Sequence, residues 1–454
     1  MRREILRAMT ISDPLARPTP APVAMPDATA FRLAPWVAIV TLSWFGPYLA
    51  GGVRTEQAVV YPSAAFALWF GTRRRRSVRS GALVLWWVLV CAIVLAPHPS
   101  LNGMYYSGRY LAGLDNYAGP LATLTLAVMW VRAYYPPRVI LDTVCVVLVA
   151  CCGLNGLLAV AQLSFDMTPY LSYWWPPAAF DPGTGLTFSG PLDALALGRA
   201  TGIFEQVAEG GNAYTCGLFA AIYLGGRLPR GWRWFAGLGG ALTTIAGLIA
   251  ASKAFILVGP LVGAWQFSRE PYALHRWVKV GAVSLGACLM AVAVGARWRS
   301  AFLITDLAHS HDSLLLTVTN GRLGGDNQSS RLWSYVWSTS RLFGYGPAGI
   351  LGPYDSAWLE AMVVGGLIGI LLVVVTLGYI GFRLFDGWSS RPREVSAFAA
   401  AVFVSALINS VGLPVFTANR VGSALWMLLA VAVLSCWDEE STLEPGRRGS
   451  RYSP

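Results

Sequence analysis

The sequence predicts an all-α protein: a polytopic integral membrane bundle of about twelve transmembrane helices with large extracytoplasmic loops. Three observations predict it. Of 454 residues, 55% are hydrophobic and only 13% are charged, where a soluble chain is about a quarter charged. Apolar runs of near-spanning length recur along nearly the whole chain, which favours one continuous bundle over a string of soluble domains. Basic residues cluster in alternate gaps between those runs, as the positive-inside rule requires. That clustering accounts for most of the net charge of +11, so the charge is not a sign of nucleic-acid binding.

The elements follow in order. Residues 1–32 hold Pro, Ala and Arg without a long apolar core and read as a disordered cytoplasmic tail, not a cleaved signal peptide. Spans are expected near 33–50, 58–71, 81–97, 119–134, 139–162, 212–225, 234–252, 254–268, 280–296, 359–381, 395–414 and 420–436. The spans at 58–71, 212–225 and 254–268 are short, which suits tilting or partial re-entry. Residues 437–454 form a second cytoplasmic tail, leaving 33–436 as the bundle.

The run Arg73 to Arg76 with Arg79 sets the second gap inside, and alternation then sets the rest. Arg132 and Arg138, Arg227 to Arg233, Arg269 to Lys279, Arg383 to Arg393 and the tail with Arg447 all fall on the same side. The exported segments are 51–57, a short hairpin, and 98–118, whose Tyr105, Tyr106, Tyr110 and Tyr117 suit an interfacial helix. Two longer exported loops follow, 163–211 and 297–358. Long loops of this kind usually carry function, so the chemistry is expected on the exported face. The seven cysteines lie in or beside apolar runs without metal spacing and read as small buried residues. His309 and His311 read as solvated loop residues, and no metal site is expected.

Some basic residues break the inside rule: Arg54, Arg109, Arg199, Lys253, Arg297, Arg299, Arg322, Arg331, Arg341 and Arg420. Guanidinium offers a planar fork of donors that matches phosphate, so a ring of arginines at the outer mouth of a bundle suits a pyrophosphate. Snorkelling to lipid head groups is the other reading open to each of them. Lys253 is one of two lysines in the chain and lies between two apolar runs with hardly any loop around it. A charge so placed is either functional or an interfacial anchor.

The segment Arg331-Leu-Trp-Ser-Tyr-Val-Trp-Ser-Thr-Ser-Arg341 has helical periodicity, with Leu332, Trp333, Val336 and Trp337 as its apolar stripe. Gly344-Tyr-Gly346 then breaks the chain. Tyr354-Asp-Ser-Ala-Trp-Leu-Glu360 leads into a span headed by Gly365-Gly366 and Gly369, small residues suited to close packing. Asp or Ser in that place is a normal N-cap as well as a candidate catalyst. On a helix, Asp355 and Glu360 would point about 140° apart, which makes them a poor carboxylate pair.

This order of Arg, Trp, Gly-x-Gly, Asp-Ser-x-x-Leu and Gly resembles the O-antigen ligase/polymerase superfamily, most closely its Wzy-like polysaccharide polymerase branch. Gly52-Val-Arg-Thr-Glu-Gln57 resembles a segment common there. Arg199-Ala-Thr-Gly-Ile-Phe204 followed by Gly211-Asn212 resembles its Arg-x-x-Gly-x-Phe … Asn element, and Ser252-Lys253 falls where the family often has Ser-Arg. The resemblance implies a metal-independent, cofactor-free glycosyltransferase acting on undecaprenyl-pyrophosphate-linked glycan, in contact with membrane lipid and beside flippase and chain-length regulator proteins. The ligase branch usually has His where this chain has Asp355, which favours polymerase.

On that basis Arg199, Lys253 and Arg331 are expected to clamp the pyrophosphate, supported by Arg54 and Arg341. Asp355 is the expected base or orienter, with Glu205 and Glu360 in reserve. Two alternatives stay open. One is a ligase moving glycan onto a lipid or protein acceptor. The other is a transporter or flippase, which should show acids inside the spans and a half-to-half repeat. Asp142 is the one clear acid of that kind in the sequence, and no repeat is visible.

Overall fold

A computed structural model describes residues 27–47, 49, 54–72, 80–98, 107–133, 136–174, 195, 199–204, 206–269, 328–349, 354, 356–386 and 393–443. Of the described residues 84% are helical, and none lies in a strand. The first helices are α1 (Asp27–Phe45), α2 (Thr55–Gly71), α3 (Gly81–Leu95), α4 (Ser107–Ala133), α5 (Pro137–Ser164) and α6 (Thr168–Trp174). Next come α7 (Val207–Arg227), α8 (Arg233–Ile249) and α9 (Gly259–Ser268), with a π turn over Ala254–Val258 just before α9. The last are α10 (Gln328–Thr339), α11 (Ala357–Phe385), α12 (Arg393–Asn409) and α13 (Asn419–Leu443). The chain divides into two units, 1–34 and 35–454. Of the first, the described part is the opening of α1; the packing below belongs to the second.

Every expected span except 280–296, which lies outside the described residues, coincides with a helix. Two of them, α5 and α11, are long and apolar enough to cross a membrane. The main seams run between α5 and α8, α2 and α4, α3 and α11, and α13 and α4. At the centre the Trp86 ring lies 4.5 Å from Trp426 and 6.2 Å from Tyr117. Both indoles are satisfied: Trp86 donates to the Tyr117 carbonyl at 3.0 Å and Trp426 to the Phe416 carbonyl at 2.8 Å. Large apolar side chains also lie on the outside. Trp69, Trp87, Leu95, Leu261, Leu371 and Phe382 are each more than half exposed. Cys145, Cys152, Cys216 and Cys436 are buried free thiols, while Cys288 lies outside the described residues.

Three local expectations change. Within the segment 98–118, residues 107–118 are not a separate interfacial helix but the start of α4, which runs on through Pro120, while Tyr105 and Tyr106 lie outside the described residues. Polar Asp115 and Asn116 interrupt the apolar pattern in sequence, but neighbouring helices satisfy them, so the helix continues. Tyr117 is accordingly in the core, 1% exposed, and not at an interface. On α10, Val336 is buried and Leu332 and Trp333 are half-buried, but Trp337 is exposed. Its ring is covered instead by Arg341, whose guanidinium carbon lies 4.1 Å from the ring centre.

The third change is in α11. The helix is broken at Gly366, with φ 58° and ψ −150°. That region is open essentially only to glycine. The turn after α10 fits into the break. Tyr345 N–H donates to the Val363 carbonyl at 2.6 Å and Gly346 N–H to Val364 at 3.0 Å. In return Leu367 N–H donates to the Arg341 carbonyl at 2.9 Å and Ile368 N–H to Leu342 at 3.2 Å. The groups left over by the break are thus satisfied by one inserted segment, as buried backbone requires. Gly365-Gly366 therefore marks an interrupted helix and not simply a packing surface.

Candidate functional site

Arg54 sits immediately before α2, and its face of the helix continues through Gln57 and Tyr61. All three meet Asp115 of α4. Arg54 Nη2 lies 2.6 Å from Asp115 Oδ2, Gln57 donates to the same oxygen at 2.7 Å, and the Tyr61 hydroxyl donates to Oδ1 at 2.5 Å. Gln57 also accepts from the Arg54 backbone N–H at 3.1 Å, which fixes the start of the helix. Arg54 is 9% exposed, and its Nη1 has no hydrogen-bond partner among the described residues. Next to it, Glu56 accepts from the Ser423 hydroxyl of α13 at 2.6 Å and feels the charges of Arg54 and Arg420. Its second oxygen has no hydrogen-bond partner among the described residues.

Glu360 lies in the first turn of α11, before the break, and is 2% exposed. Asn116 of α4 and Thr417 ahead of α13 lie beside its carboxyl group, and Oε1 has no hydrogen-bond partner among the described residues. Thr417, Arg420 and Ser423 are three residues apart, so one stripe leads from Glu360 past buried Arg420 to Glu56. Ser356 caps α11, its hydroxyl oxygen accepting from Trp358 N–H at 3.3 Å. The same hydroxyl donates to the Ser410 carbonyl at 3.3 Å, and Ala357 N–H donates to that carbonyl at 3.0 Å. The N-terminus of α11 is therefore tied to the C-terminus of α12.

The Arg199–Phe204 segment is held by α5. Gly202 has φ +69°, and an added Cβ would lie 2.0 Å from Asn155 Oδ1. Gln162 donates to the Gly202 carbonyl at 2.9 Å and accepts from its N–H at 3.0 Å. Asn155 donates to the Thr201 carbonyl at 3.2 Å and accepts from Ile203 N–H at 3.0 Å. Thr201 to Phe204 are buried in consequence, and Arg199 stands half-buried at their entrance. The chain then turns into α7. There Gly211 lies against Ser252, whose hydroxyl oxygen would be 1.9 Å from a Cβ at position 211. Ser252-Lys253 follows a tight turn with Ala251 at φ +51°, and Lys253 opens the π turn half-buried. Asn212 accepts from Asn409 of α12 at 2.8 Å, one residue before Ser410.

These contacts link the sequence motifs into one series: the Arg199–Phe204 segment, whose Thr201 carbonyl accepts from the Tyr214 hydroxyl of α7 at 3.0 Å, then Asn212, Asn409 and Ser410, Ser356, Glu360, Asn116 and Asp115, and Arg54. They gather the N-terminal parts of α2, α4, α7, α11 and α13 with the C-terminal ends of α8 and α12. A second polar group lies elsewhere. Arg227 of α7 pairs with Asp142 of α5 at 2.9 Å and 3.0 Å, joined by the Tyr223 hydroxyl at 2.7 Å.

Arg331 and Arg341 are exposed on and just after α10, and no described contact joins them to the other cations. Asp355 and Glu205 lie outside the described residues. Two groups were not singled out as site residues in the sequence, Asp115 and Glu56, and Arg420 entered only as one of the basic residues that break the inside rule. The i, i+3, i+7 spacing of Arg54, Gln57 and Tyr61 was the available signal for a buried acid opposite, but it does not say where in the chain that acid lies. Asp142 is likewise not alone as a buried acid of the bundle, since Glu56 and Glu360 are more deeply buried. The sequence matches no protein-family model and no curated protein.

Proposed function

We propose that this protein is a multi-pass membrane glycosyltransferase. It joins oligosaccharide repeat units carried on undecaprenyl pyrophosphate into polysaccharide at the extracytoplasmic face. The observation that carries this reading is the gathering of the motif segments. Arg54, Arg199, Asn212, Ser252-Lys253 and Glu360 come from widely separated parts of the chain, yet short contacts link their surroundings. Every helix end in that series is one that the alternation of basic loops assigns to the exported side. Asp142 and Arg227 occur at ends assigned to the cytoplasm. Support for the membrane comes from α5 and α11 and from the tryptophans, leucines and phenylalanines exposed on the outer surface.

The chemistry asked of the site is simple. A sugar hydroxyl attacks the anomeric carbon of a second glycan, a new C–O bond forms, and the bond to the pyrophosphate breaks. The lipid pyrophosphate leaves with the electron pair. Arg199 and Lys253, with Arg331, Arg341 and the free Nη1 of Arg54, stabilise the developing charge without a metal. A carboxylate among Asp355, Glu360 and Glu205 takes the proton. Flippase and chain-length regulator proteins are the protein partners of this scheme.

One observation favours a second reading, a transporter or flippase for the same lipid-linked glycan. Broken helices beside buried acids line substrate sites in many transporters, and α11 breaks close to Glu360. Glycan analysis of a deletion strain separates the readings. A polymerase predicts loss of long polysaccharide with accumulation of single lipid-linked repeats, restored by wild type but not by Arg199→Ala at matched expression. Full-length polymer left on its lipid carrier favours a ligase. An unchanged glycan profile contradicts both enzyme readings.

A further inference from the structure

We infer that the turn between α7 and α8 is a binding surface for anionic phospholipid, with Arg230 and Arg233 on the head-group phosphates and Trp232 and Trp234 seated just beneath them. The inference goes beyond the glycosyltransfer reading and rests only on its membrane part. α7 ends at Arg227, and the chain passes through a 3₁₀ turn, Arg230–Trp232, into α8. Trp232 N–H donates to the Pro229 carbonyl at 2.8 Å and Arg233 Nε to the Leu228 carbonyl at 3.0 Å, so the turn is fixed by its own bonds. Its two indoles face outward, 61% and 60% exposed, with ring centres 6.5 Å apart and planes 19° from parallel. The half-buried Phe235 ring holds Trp234 from behind, edge-on at 6.4 Å. Large apolar rings that are fixed, paired, exposed and rimmed by charge mark a surface that is covered in use.

The order of chemistry along α8 identifies what covers it. Arg230 and Arg233 are exposed, and among the described residues no carboxylate pairs with either. Asp142, the acid at this end of α7, is already bonded by Arg227 and Tyr223. Beyond Trp234 the outward face continues through exposed Leu238 and half-buried Ala241 and Leu248, and no charged residue follows until Lys253. The Thr244 hydroxyl on this side is satisfied by the Gly240 carbonyl at 2.8 Å. Cation, then aromatic ring, then hydrocarbon, along a helix about 25 Å long, is the layering of one lipid leaflet. A protein surface has no such layers.

α9 shows the same order in reverse. Its exposed Leu261 is followed by Trp265 and then by Arg269, whose guanidinium carbon lies 5.5 Å from the Trp265 ring centre. Gly259 lies against Thr215 of α7 and Gly263 against Ile222, so α9 runs in the direction of α7. Its Trp265–Arg269 end therefore comes to the Arg227 end of α7, where α8 begins. The alternation of basic loops assigns that end to the cytoplasm, the leaflet whose anionic lipids attract basic side chains. Guanidinium matches phosphate in shape as well as charge.

The test uses full-length protein in nanodiscs of phosphatidylglycerol and phosphatidylcholine in equal amounts. Either lipid in turn carries brominated acyl chains, which quench tryptophan on contact. The signal of the two indoles is the wild-type emission minus that of Trp232→Phe/Trp234→Phe. Brominated phosphatidylglycerol is expected to quench it more strongly, an enrichment of about tenfold or more over phosphatidylcholine. Arg230→Ala/Arg233→Ala is expected to bring the two lipids near parity, and high salt to weaken the preference. All four side chains are exposed, so these variants keep the fold, which circular dichroism checks.

Equal quenching by the two lipids in wild type, or a preference that survives in R230A/R233A, overturns the assignment. So does a turn that neither lipid quenches while both quench Trp87, read as wild type minus Trp87→Phe; another protein or a second copy then covers it. If Trp87, more than half exposed, also escapes both lipids, the membrane reading itself fails and the inference with it.

Discussion

Asp115 shows how a charge is kept inside an apolar bundle. Its three donors come from one helix face, and the Arg54 and Asp115 side chains are only 11% and 15% exposed. Removing one member leaves the other charged and desolvated. Asp115→Ala is therefore expected to destabilise the protein by about 3–5 kcal/mol, and Asp115→Asn, which also removes the counter-charge of Arg54, to recover only the part owed to the remaining hydrogen bonds. Thermal unfolding in detergent measures this, and equal melting of wild type and D115A would mean that the pair holds nothing together. The arginine was legible in the sequence because it breaks the positive-inside rule. Its partner was not, because nothing local joins residues 61 apart. The Arg199–Phe204 segment was legible for the opposite reason. Its glycine, hydroxyl and aromatic are confined to six residues, and the structure gives each a reason: a positive φ at Gly202, a Thr201 bond to the Phe204 carbonyl, and Phe204 packed on Tyr214.

At the scale of elements, apolar length located the helices and misjudged what happens inside them. The beginning of α4 was hidden because Gly113, Asp115, Asn116 and Gly119 dilute its hydrophobicity, although tertiary partners make them compatible with a helix. The break in α11 was hidden because Val363, Val364, Leu367 and Ile368 around the glycines read as an uninterrupted span. Gly366→Ala tests whether the break is obligatory. A Cβ there would lie 2.5 Å from the Leu342 carbonyl, on a backbone with φ +58°. The strain alone is of order 1–3 kcal/mol before any clash is counted. The expected result is release of the Arg341–Gly346 turn, read as faster backbone hydrogen exchange at Tyr345, Gly346, Leu367 and Ile368. Unchanged protection at those amides would show that the helix accepts the side chain in place.

For the whole molecule, composition predicted a mostly helical chain with helices apolar enough to cross a membrane, and motif order is the source of the proposed chemistry. What neither could supply is which helix ends meet. That knowledge comes from bonds such as Asn409 to Asn212, 197 residues apart, and Ser423 to Glu56, 367 apart. Those bonds make a single polar region out of segments that are unremarkable one by one. The central claim is metal-independent glycosyl transfer from a lipid pyrophosphate. Its most direct test is to incubate purified protein in nanodiscs with lipid-linked oligosaccharide and excess EDTA, following glycan length and free undecaprenyl pyrophosphate together. The expected result is a ladder of polymer with one undecaprenyl pyrophosphate released for each linkage formed. Intact substrate and no released pyrophosphate, from protein that binds undecaprenyl pyrophosphate, would contradict the claim.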